Sequence, residues 1–248
     1  MSPGAAAGER EGGGIIRGPL AIATAFEVVL IFAGILAYIW RWQHANPLAW
    51  MGHPSSPLIA RFMDTNPLAW GGLFALILVS HALHHDTLRG LGLGWTGMRA
   101  GAQWVLPLAI LLYLPLLFYG FAHHRLALLH PTWQSLVSLL GYGAWCAFQQ
   151  YLTQSYFNNR LMLIIRNRHA SSALIGIMFS ATHLPNLILM VATLVAGFIF
   201  AEVFAHHRNI WPLALVQAVG GLLLAAVAPD ALIHHMRVGP GYFFYGIR

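Results

Sequence analysis

The sequence predicts an all-α fold, a polytopic membrane helical bundle with about seven transmembrane helices, or about six to eight. Two observations support this prediction. Hydrophobic residues make up 58% of the 248 residues, whereas charged residues make up only 8%. A soluble domain usually contains about 25% charged residues, so this chain has too few to cover a surface that faces water. The hydrophobic residues also form separate runs, and about 20 such residues are needed to cross a bilayer as a helix.

Seven apolar segments are predicted to span the membrane. The first contains one charge, Glu27, which must be neutral or paired because an isolated charge is costly in a bilayer. The stretch between Arg168 and Glu202 contains no Asp, Glu, Lys or Arg. It is long enough for two helices, and Pro185-Asn186 is the expected break between them. The segments are Gly18–Trp40, Asn66–Leu83, Gly101–Ala122, Trp133–Tyr151, the two halves of 168–202, and Ile210–Ala228.

The other parts of the chain are short. Residues 1–17, rich in Gly and Ala, are predicted to be a disordered N-terminal tail, and residues 18–248 to be a single transmembrane domain. Residues 43–65 contain three prolines, and this segment is compatible with a short helix at the membrane surface. Residues 233–242 contain Gly239, Pro240 and Gly241, which predict a turn. We interpret this last segment as a surface tail, with a lid over a cavity or a docking surface as the alternatives.

The distribution of Arg predicts the orientation. The chain contains no Lys, and in the predicted topology eight Arg residues lie on the side of the N-terminus and five on the opposite side. Cytoplasmic loops are enriched in basic residues. We therefore expect a bacterial inner-membrane protein with a cytoplasmic N-terminus. Nothing in the sequence indicates nucleic-acid binding. The single Cys, Cys146, excludes an intrachain disulfide and a Cys-based zinc site.

Polar side chains within the apolar segments indicate a possible site, because such groups usually face the bundle interior or a cavity. Gln150, Gln154 and Asn158 are spaced at i, i+4 and i+8, so they are predicted to share one helix face, with Gln149 beside it. Later segments contribute His183, Asn186 and Gln217. Amide side chains can simply join helices by hydrogen bonds. Their occurrence on three helices favours a shared polar cavity.

Four short patterns follow one another between residues 147 and 221. They are Gln149-Gln150-x-x-x-Gln154, Phe179-x-x-x-His183, Thr193-x-x-x-Gly197 and Gln217-x-x-x-Gly221. In order and spacing they resemble the CPBP family of intramembrane proteases, which includes CAAX-prenyl endopeptidases and bacteriocin-processing proteins. That family has Glu-Glu-x-x-x-Arg, then Phe-x-x-x-His, then a helix with small residues, then His-x-x-x-Asn. The resemblance implies a family core at about residues 133–228.

The resemblance also implies that the catalytic groups are largely replaced. Gln149 and Gln150 stand at the positions of the family's Glu residues, and Gln217 stands at the position of its second His; the family's Arg and Asn are replaced as well. Only His183 is retained. A Gln amide cannot act as a general base, and general acid–base catalysis contributes about 10²–10⁴-fold to a rate. His183, Gln149 and Gln150 are therefore the candidate catalytic residues of a degenerate site.

The chain is predicted to act by binding, as an accessory or scaffold subunit of a membrane complex or as a binder of a membrane lipid or an isoprenoid. No cofactor is predicted. The residues expected to line the binding cavity are Gln154, Asn158, Phe179, Asn186, Gln217, His234, His235 and Arg237. One alternative is an intramembrane hydrolase with altered active-site chemistry.

The fourteen His residues raise a further alternative, a metal-dependent membrane lipid oxidase. The pattern His81-Ala82-Leu83-His84-His85 resembles the iron-binding boxes of membrane desaturases, and imidazole is a good iron ligand. The His doublets, however, divide between the two predicted membrane faces, whereas such enzymes need several boxes on one face. No metal site is therefore predicted, and His81, His84 and His85 are the candidates if one exists.

Overall fold

The computed structural model describes residues 17–42, 67–125 and 133–243, and these ranges contain helices and no strand. The predicted all-α membrane bundle is confirmed. The helices are α1 (Pro19–Trp42), α2 (Pro67–Leu83), α3 (Met98–Ala122), α4 (Trp133–Gln150), a π-helix (Tyr151–Asn158), α5 (Asn159–Ile164), α6 (Arg168–Ala181), α7 (Leu187–His207), α8 (Trp211–Val227), α9 (Asp230–Ile233), a 3₁₀-helix (His234–Met236) and α10 (Pro240–Phe243).

Each of the seven predicted apolar segments forms a helix. Within the described ranges, three helical stretches are long and apolar enough to cross a membrane: Pro19–Trp40, Met98–Ala122 and Leu187–His207. Trp70–Leu83 and Trp211–Val227 are shorter apolar helices. Residues 1–16 of the predicted tail and the predicted surface helix within 43–65 lie outside the described residues.

Two helix boundaries are informative. The fourth segment does not end at Tyr151, as predicted, but continues without a break through the π-helix and α5 to Ile164. The residues from Leu152 to Asn158, several of which are polar, are buried by neighbouring helices. Their polarity therefore does not mark the water-exposed end of a helix. The predicted break at Pro185-Asn186 is confirmed. The Asn186 side chain accepts a hydrogen bond from the backbone N–H of Leu189 at 3.3 Å and so caps α7.

Helices α6 and α7 pack closely because glycines meet at their crossing. A Cβ at Gly176 would lie 2.7 Å from the carbonyl oxygen of Leu194, and a Cβ at Gly197 would lie 3.0 Å from the Cα of Gly176. Small residues at such contacts allow membrane helices to approach closely. This pair of helices holds the turn that carries His183.

Helix α3 has one buried stripe and a broad apolar surface. Its buried residues are Gly101, Val105, Ala109 and Gly120. Large side chains elsewhere on the helix are exposed, including Leu111, Phe118 and Phe121. A helix with so much exposed apolar surface requires an apolar solvent, which agrees with a lipid environment.

Candidate functional site

Three glutamines from two helices form a chain of hydrogen bonds, here called the amide group: Gln149 and Gln150 at the end of α4, and Gln217 of α8. The Nε2 of Gln150 donates to the Oε1 of Gln217 at 2.6 Å. The Nε2 of Gln217 in turn donates to the Oε1 of Gln149. The Oε1 of Gln150 is buried and accepts no hydrogen bond from the described residues. The amide group therefore keeps one unused acceptor and contains no group that can gain or lose a proton near neutral pH.

The π-helix begins directly after the amide group. A π-turn has i→i+5 hydrogen bonds, is rare, and often occurs at functional sites. The Nδ2 of Asn158 donates to the Oε1 of Gln154 at 3.0 Å and to the carbonyl oxygen of Ala201, on α7, at 3.3 Å. The Nε2 of Gln154 is buried without a partner in the described parts of the chain.

The predicted polar stripe is thus divided. Gln150 bonds across to α8, whereas Gln154 and Asn158 bond to each other and to α7. Gln154 and Asn158, four residues apart within the π-helix, still contact each other, whereas Gln150, at the end of α4, bonds to a different helix. The i, i+4, i+8 spacing assumed an uninterrupted α-helix.

His183 lies in the turn between α6 and α7, outside both helices. Its Nδ1 lies 2.8 Å from the carbonyl oxygen of Phe179. A carbonyl can only accept, so Nδ1 donates and Nε2 carries the lone pair of the neutral ring. Burial lowers the pKa of His183 and is only partly opposed by this hydrogen bond, so the neutral ring is favoured. Within the described residues, no hydrogen bond joins His183 to the amide group.

Gly221, which the sequence resemblance aligns with the family's Asn, has no room for a side chain. A Cβ there would collide with the hydroxyl of Tyr142. A Cβ at the neighbouring Gly220 would lie 2.6 Å from the hydroxyl of Tyr113. The Tyr142 ring therefore fills the space beside α8 that an Asn side chain at position 221 would occupy.

Comparison with protein families gives a match to the region of the site. A family model described as type II CAAX prenyl endopeptidase, Rce1-like, matches residues 151–223. The matched range contains Gln154, His183 and Gln217 and begins directly after Gln149 and Gln150. This part of the chain is therefore similar to the CAAX-protease branch of the CPBP family. Comparison with curated proteins and with solved structures gives no match. The matched domain suggests a membrane protease-like protein.

The C-terminal segment of the chain packs against the His183 turn. The Nδ2 of Asn186 donates to the carbonyl oxygens of Ile233, at 2.7 Å, and Arg237, at 3.1 Å. The backbone N–H of Gly239 donates to the carbonyl oxygen of Leu184 at 2.6 Å. Ile233 is only 1% exposed. The interpretation as a surface tail is therefore wrong, because the hydrogen bonds of Asn186 and the burial of apolar residues hold the segment on the bundle.

The histidines of the C-terminal segment have partners of their own. The Nδ1 of His235 lies 2.9 Å from the Oδ1 of Asp230. The ring of His234 lies against the ring of Tyr242, with 4.1 Å between centroids.

Phe179 contacts His183 through both its carbonyl oxygen and its ring, and the two ring centroids are 5.1 Å apart. The predicted site residues therefore divide among the amide group, the π-helix and the contact between the His183 turn and the C-terminal segment.

A second polar cluster, here called the ionic network, joins α1, α2 and α5. Its members are Glu27, Ser80, His81, Asp86, Tyr156 and Arg160. The Arg160 side chain is fully buried; its Nη2 donates to the Oδ2 of Asp86 at 2.6 Å, and its Nε donates to the Oγ of Ser80 at 3.0 Å. The Oε1 of Glu27 lies 3.7 Å from the Nε of Arg160 and accepts from the Tyr156 hydroxyl at 2.6 Å.

Asp86 balances the buried positive charge. It lies in the loop after α2, and its Oδ2 is also 2.7 Å from the Nδ1 of His81. Burial raises the pKa of Asp86. Hydrogen bonds from His81 and Arg160 and the charge of Arg160 lower this pKa by more than burial raises it, so that it lies below its ordinary value of 3.8. Asp86 is therefore ionised at neutral pH.

The sequence pointed to only half of the ionic network. Glu27 stands out as a charge within an apolar segment that needs a partner. Arg160, in contrast, is one of the eight Arg residues that the predicted topology places in loops on the side of the N-terminus. That placement is wrong, because the side chain of Arg160 is fully buried. The available signal was two opposite charges, each next to apolar residues, with no partner nearby in sequence.

His81, His84 and His85 do not converge. His81 contacts Asp86 and Arg160, whereas the Nδ1 of His84 contacts the carbonyl oxygen of Ser80 at 3.0 Å and His85 is exposed. In the part of the chain that the structure describes, no group of three or more His, Cys, Asp or Glu residues could hold a metal ion. The arrangement of these side chains gives the histidine-box alternative no support.

Proposed function

We propose that this protein binds an isoprenoid- or lipid-bearing ligand within the membrane and does not hydrolyse peptide bonds. The observation that carries the proposal is the amide group. Gln149, Gln150 and Gln217 stand at the family's Glu and second His positions and bond to one another. Amides can donate and accept hydrogen bonds but cannot take a proton from water.

Two further features support binding. The buried Oε1 of Gln150 and the buried Nε2 of Gln154 have no partner among the described residues, so one acceptor and one donor are available to a polar headgroup. Gly221 has no room for an Asn side chain, because Tyr142 fills the space. The site therefore retains polar recognition but lacks the groups that would activate water.

A second candidate, an intramembrane hydrolase with altered chemistry, is favoured by His183 alone. The hydrogen bond from its Nδ1 to Phe179 leaves a lone pair on Nε2, which is the requirement for a general base. If this candidate is correct, peptide cleavage must depend on His183.

The test uses the full chain in proteoliposomes with a farnesylated CAAX-type peptide as the probe. Binding and cleavage are measured on the same samples, for the wild type, His183→Ala, Gln217→Leu and Gln103→Leu. The last variant is the matched control, because Gln103 is an exposed Gln of α3 outside the amide group. Loss of a buried amide hydrogen bond in a membrane, worth about 0.6–2 kcal/mol, predicts a roughly 3- to 30-fold weaker affinity for Gln217→Leu.

The expected result is binding without cleavage, weakened by Gln217→Leu and unchanged by Gln103→Leu. Cleavage that disappears in His183→Ala would overturn the proposal in favour of the hydrolase. Absence of binding by the wild type would also overturn it, and a protein that co-purifies in stoichiometric amount would then favour an accessory or scaffold subunit.

We also propose that the chain resides in a bacterial inner membrane with a cytoplasmic N-terminus. The Arg distribution supports this orientation. Labelling of Cys residues introduced at Arg99 and, separately, at Asp230 in intact cells tests it. Protection of the first site and labelling of the second are expected, and the reverse pattern would contradict the orientation.

A further inference from the structure

A basic pocket lies where the loop before α3 meets the end of α7. Its volume is about 230 Å³, several times the roughly 30 Å³ that a water molecule occupies in the liquid. The pocket is lined by Arg89, Thr96, Gly97, His206, His207 and Arg208. Two arginines, two histidines and a hydroxyl thus surround one small cavity, separate from the amide group.

No carboxylate lines this pocket. The four carboxylates in the described ranges all pair elsewhere: Glu27 and Asp86 with Arg160, Glu202 with Arg168 and His169, and Asp230 with His235. The side chain of Arg89 is exposed and forms no ion pair with a described residue. Arg89 therefore brings to the pocket a positive charge that no described carboxylate balances.

Arg208 is held in position by its neighbours. Its Nη1 donates to the Oδ1 of Asn159, and its guanidinium lies 5.5 Å from the centroid of the Phe204 ring. It follows the last residue of α7 and has a left-handed backbone, with a φ of 47°. A charged side chain that is fixed before a ligand arrives loses little conformational freedom on binding.

The N-terminus of α3 forms another wall of the pocket. Gly97, one of the lining residues, caps this 25-residue helix and provides no side-chain hydrogen bond to the first turn. Its φ is 80°, and a Cβ there would collide with the carbonyl oxygen of His207, so the close approach of the two segments requires Gly. The N–H groups and the dipole at a helix N-terminus favour an anion.

The surroundings of the pocket fit the level of lipid headgroups. Trp95 is 80% exposed, and Leu88 and Trp104 are also exposed. The Trp104 ring stacks on the ring of His207, with 6.4 Å between centroids. Trp is enriched at membrane–water interfaces, and basic pockets between membrane helices bind anionic lipid headgroups. An anion at this position would therefore come from the membrane.

We propose that this pocket binds the phosphate group of an anionic membrane lipid. The two arginines and the N-terminus of α3 contact the phosphate oxygens, His206 and His207 add donors, and the acyl chains lie along the exposed apolar surface of α3. This site goes beyond the proposed function, since it is distinct from the amide group.

The test compares lipid binding by the purified full chain in phosphatidylcholine nanodiscs that contain a small fraction of phosphatidic acid, phosphatidylglycerol or no anionic lipid. Arg89→Gln removes a lining charge at an exposed position. Arg99→Gln is the matched control, because Arg99 is exposed in the first turn of α3 and does not line the pocket. Removal of one basic residue near a membrane surface is expected to weaken the affinity for an anionic lipid about fivefold.

We expect the wild type to retain phosphatidic acid and phosphatidylglycerol in preference to phosphatidylcholine. The affinity for the two anionic lipids should be about fivefold weaker in Arg89→Gln and weaker again in Arg89→Gln/His206→Gln. Arg99→Gln should leave this affinity unchanged. Thermal unfolding of the variants should match that of the wild type. Equal losses in Arg89→Gln and Arg99→Gln, or no preference among the lipids, would overturn the proposal. Inorganic phosphate that binds as tightly as the lipids would overturn the assignment to a lipid and identify a soluble phosphate as the ligand.

Discussion

The ionic network should contribute a large share of the stability of this protein, and Arg160→Leu is the change that tests this. The substitution removes the positive charge that lies 2.6 Å from Asp86 and 3.7 Å from Glu27. Both carboxylates then remain in a largely apolar environment without their cation. It also removes the hydrogen bond to Ser80.

The size of the effect follows from burial. Removal of one partner from a buried ion pair costs about 3–5 kcal/mol, because the other charge stays unpaired. The side chains of Asp86 and Glu27 are 18% and 26% exposed, so water partly solvates them and the lower end of the range is expected. Arg168→Leu is the matched control. It breaks the ion pair with Glu202, but its side chain is 40% exposed, and a surface pair is worth about 0–1 kcal/mol.

The free energy of unfolding is measured by SDS titration in dodecyl maltoside micelles, with tryptophan fluorescence as the signal. If Arg160→Leu does not fold, Arg160→Lys provides the comparison. Lys retains the charge but lacks the planar group that reaches several acceptors, so an intermediate loss is expected. Equal losses for Arg160→Leu and Arg168→Leu would refute the reasoning.

Three further predictions concern other parts of the bundle. Gly221→Ala should destabilise by about 1–3 kcal/mol because its Cβ would overlap the hydroxyl of Tyr142; Tyr142→Phe in the same chain should restore part of the loss in thermal unfolding, and no restoration would contradict the steric cause. Asn186→Ala should lower the free energy of unfolding by about 1 kcal/mol, because the cap of α7 is lost, and should accelerate hydrogen exchange in residues 233–239. Asn167→Ala removes only the cap of α6 and should leave that exchange unchanged. Folding lowers the pKa of Asp86, so its stabilising contribution should be complete above its ordinary pKa of 3.8 and should decline as the pH falls through the lower value of the folded state. The free energy of unfolding is measured in an acid titration, and an equal decline for Asp86→Asn and the wild type would contradict this.

The sequence by itself determined the helical membrane architecture. Backbone polar groups cannot be left unsatisfied in lipid, so each long apolar segment must form a helix. Hydropathy is then sufficient to locate the segments, and Pro185-Asn186 is sufficient to locate the break between α6 and α7. Gln149, Gln150 and Gln217 could likewise be selected as polar residues of the interior, because they lie within apolar segments.

Only the tertiary structure decided how these residues are paired. Hydrogen bonds between helices depend on the lateral order and rotation of the helices, which periodicity along one helix does not contain. Gln150 bonds to α8, whereas Gln154 and Asn158 bond to each other and to α7, and an i, i+4 pattern does not specify this division. Arg160 and Glu27 are 133 residues apart in sequence, and their contact depends on the packing of α1 against α5. Likewise, the basic pocket exists because Gly97 permits the loop before α3 to touch the end of α7, a contact that no local sequence signal specifies.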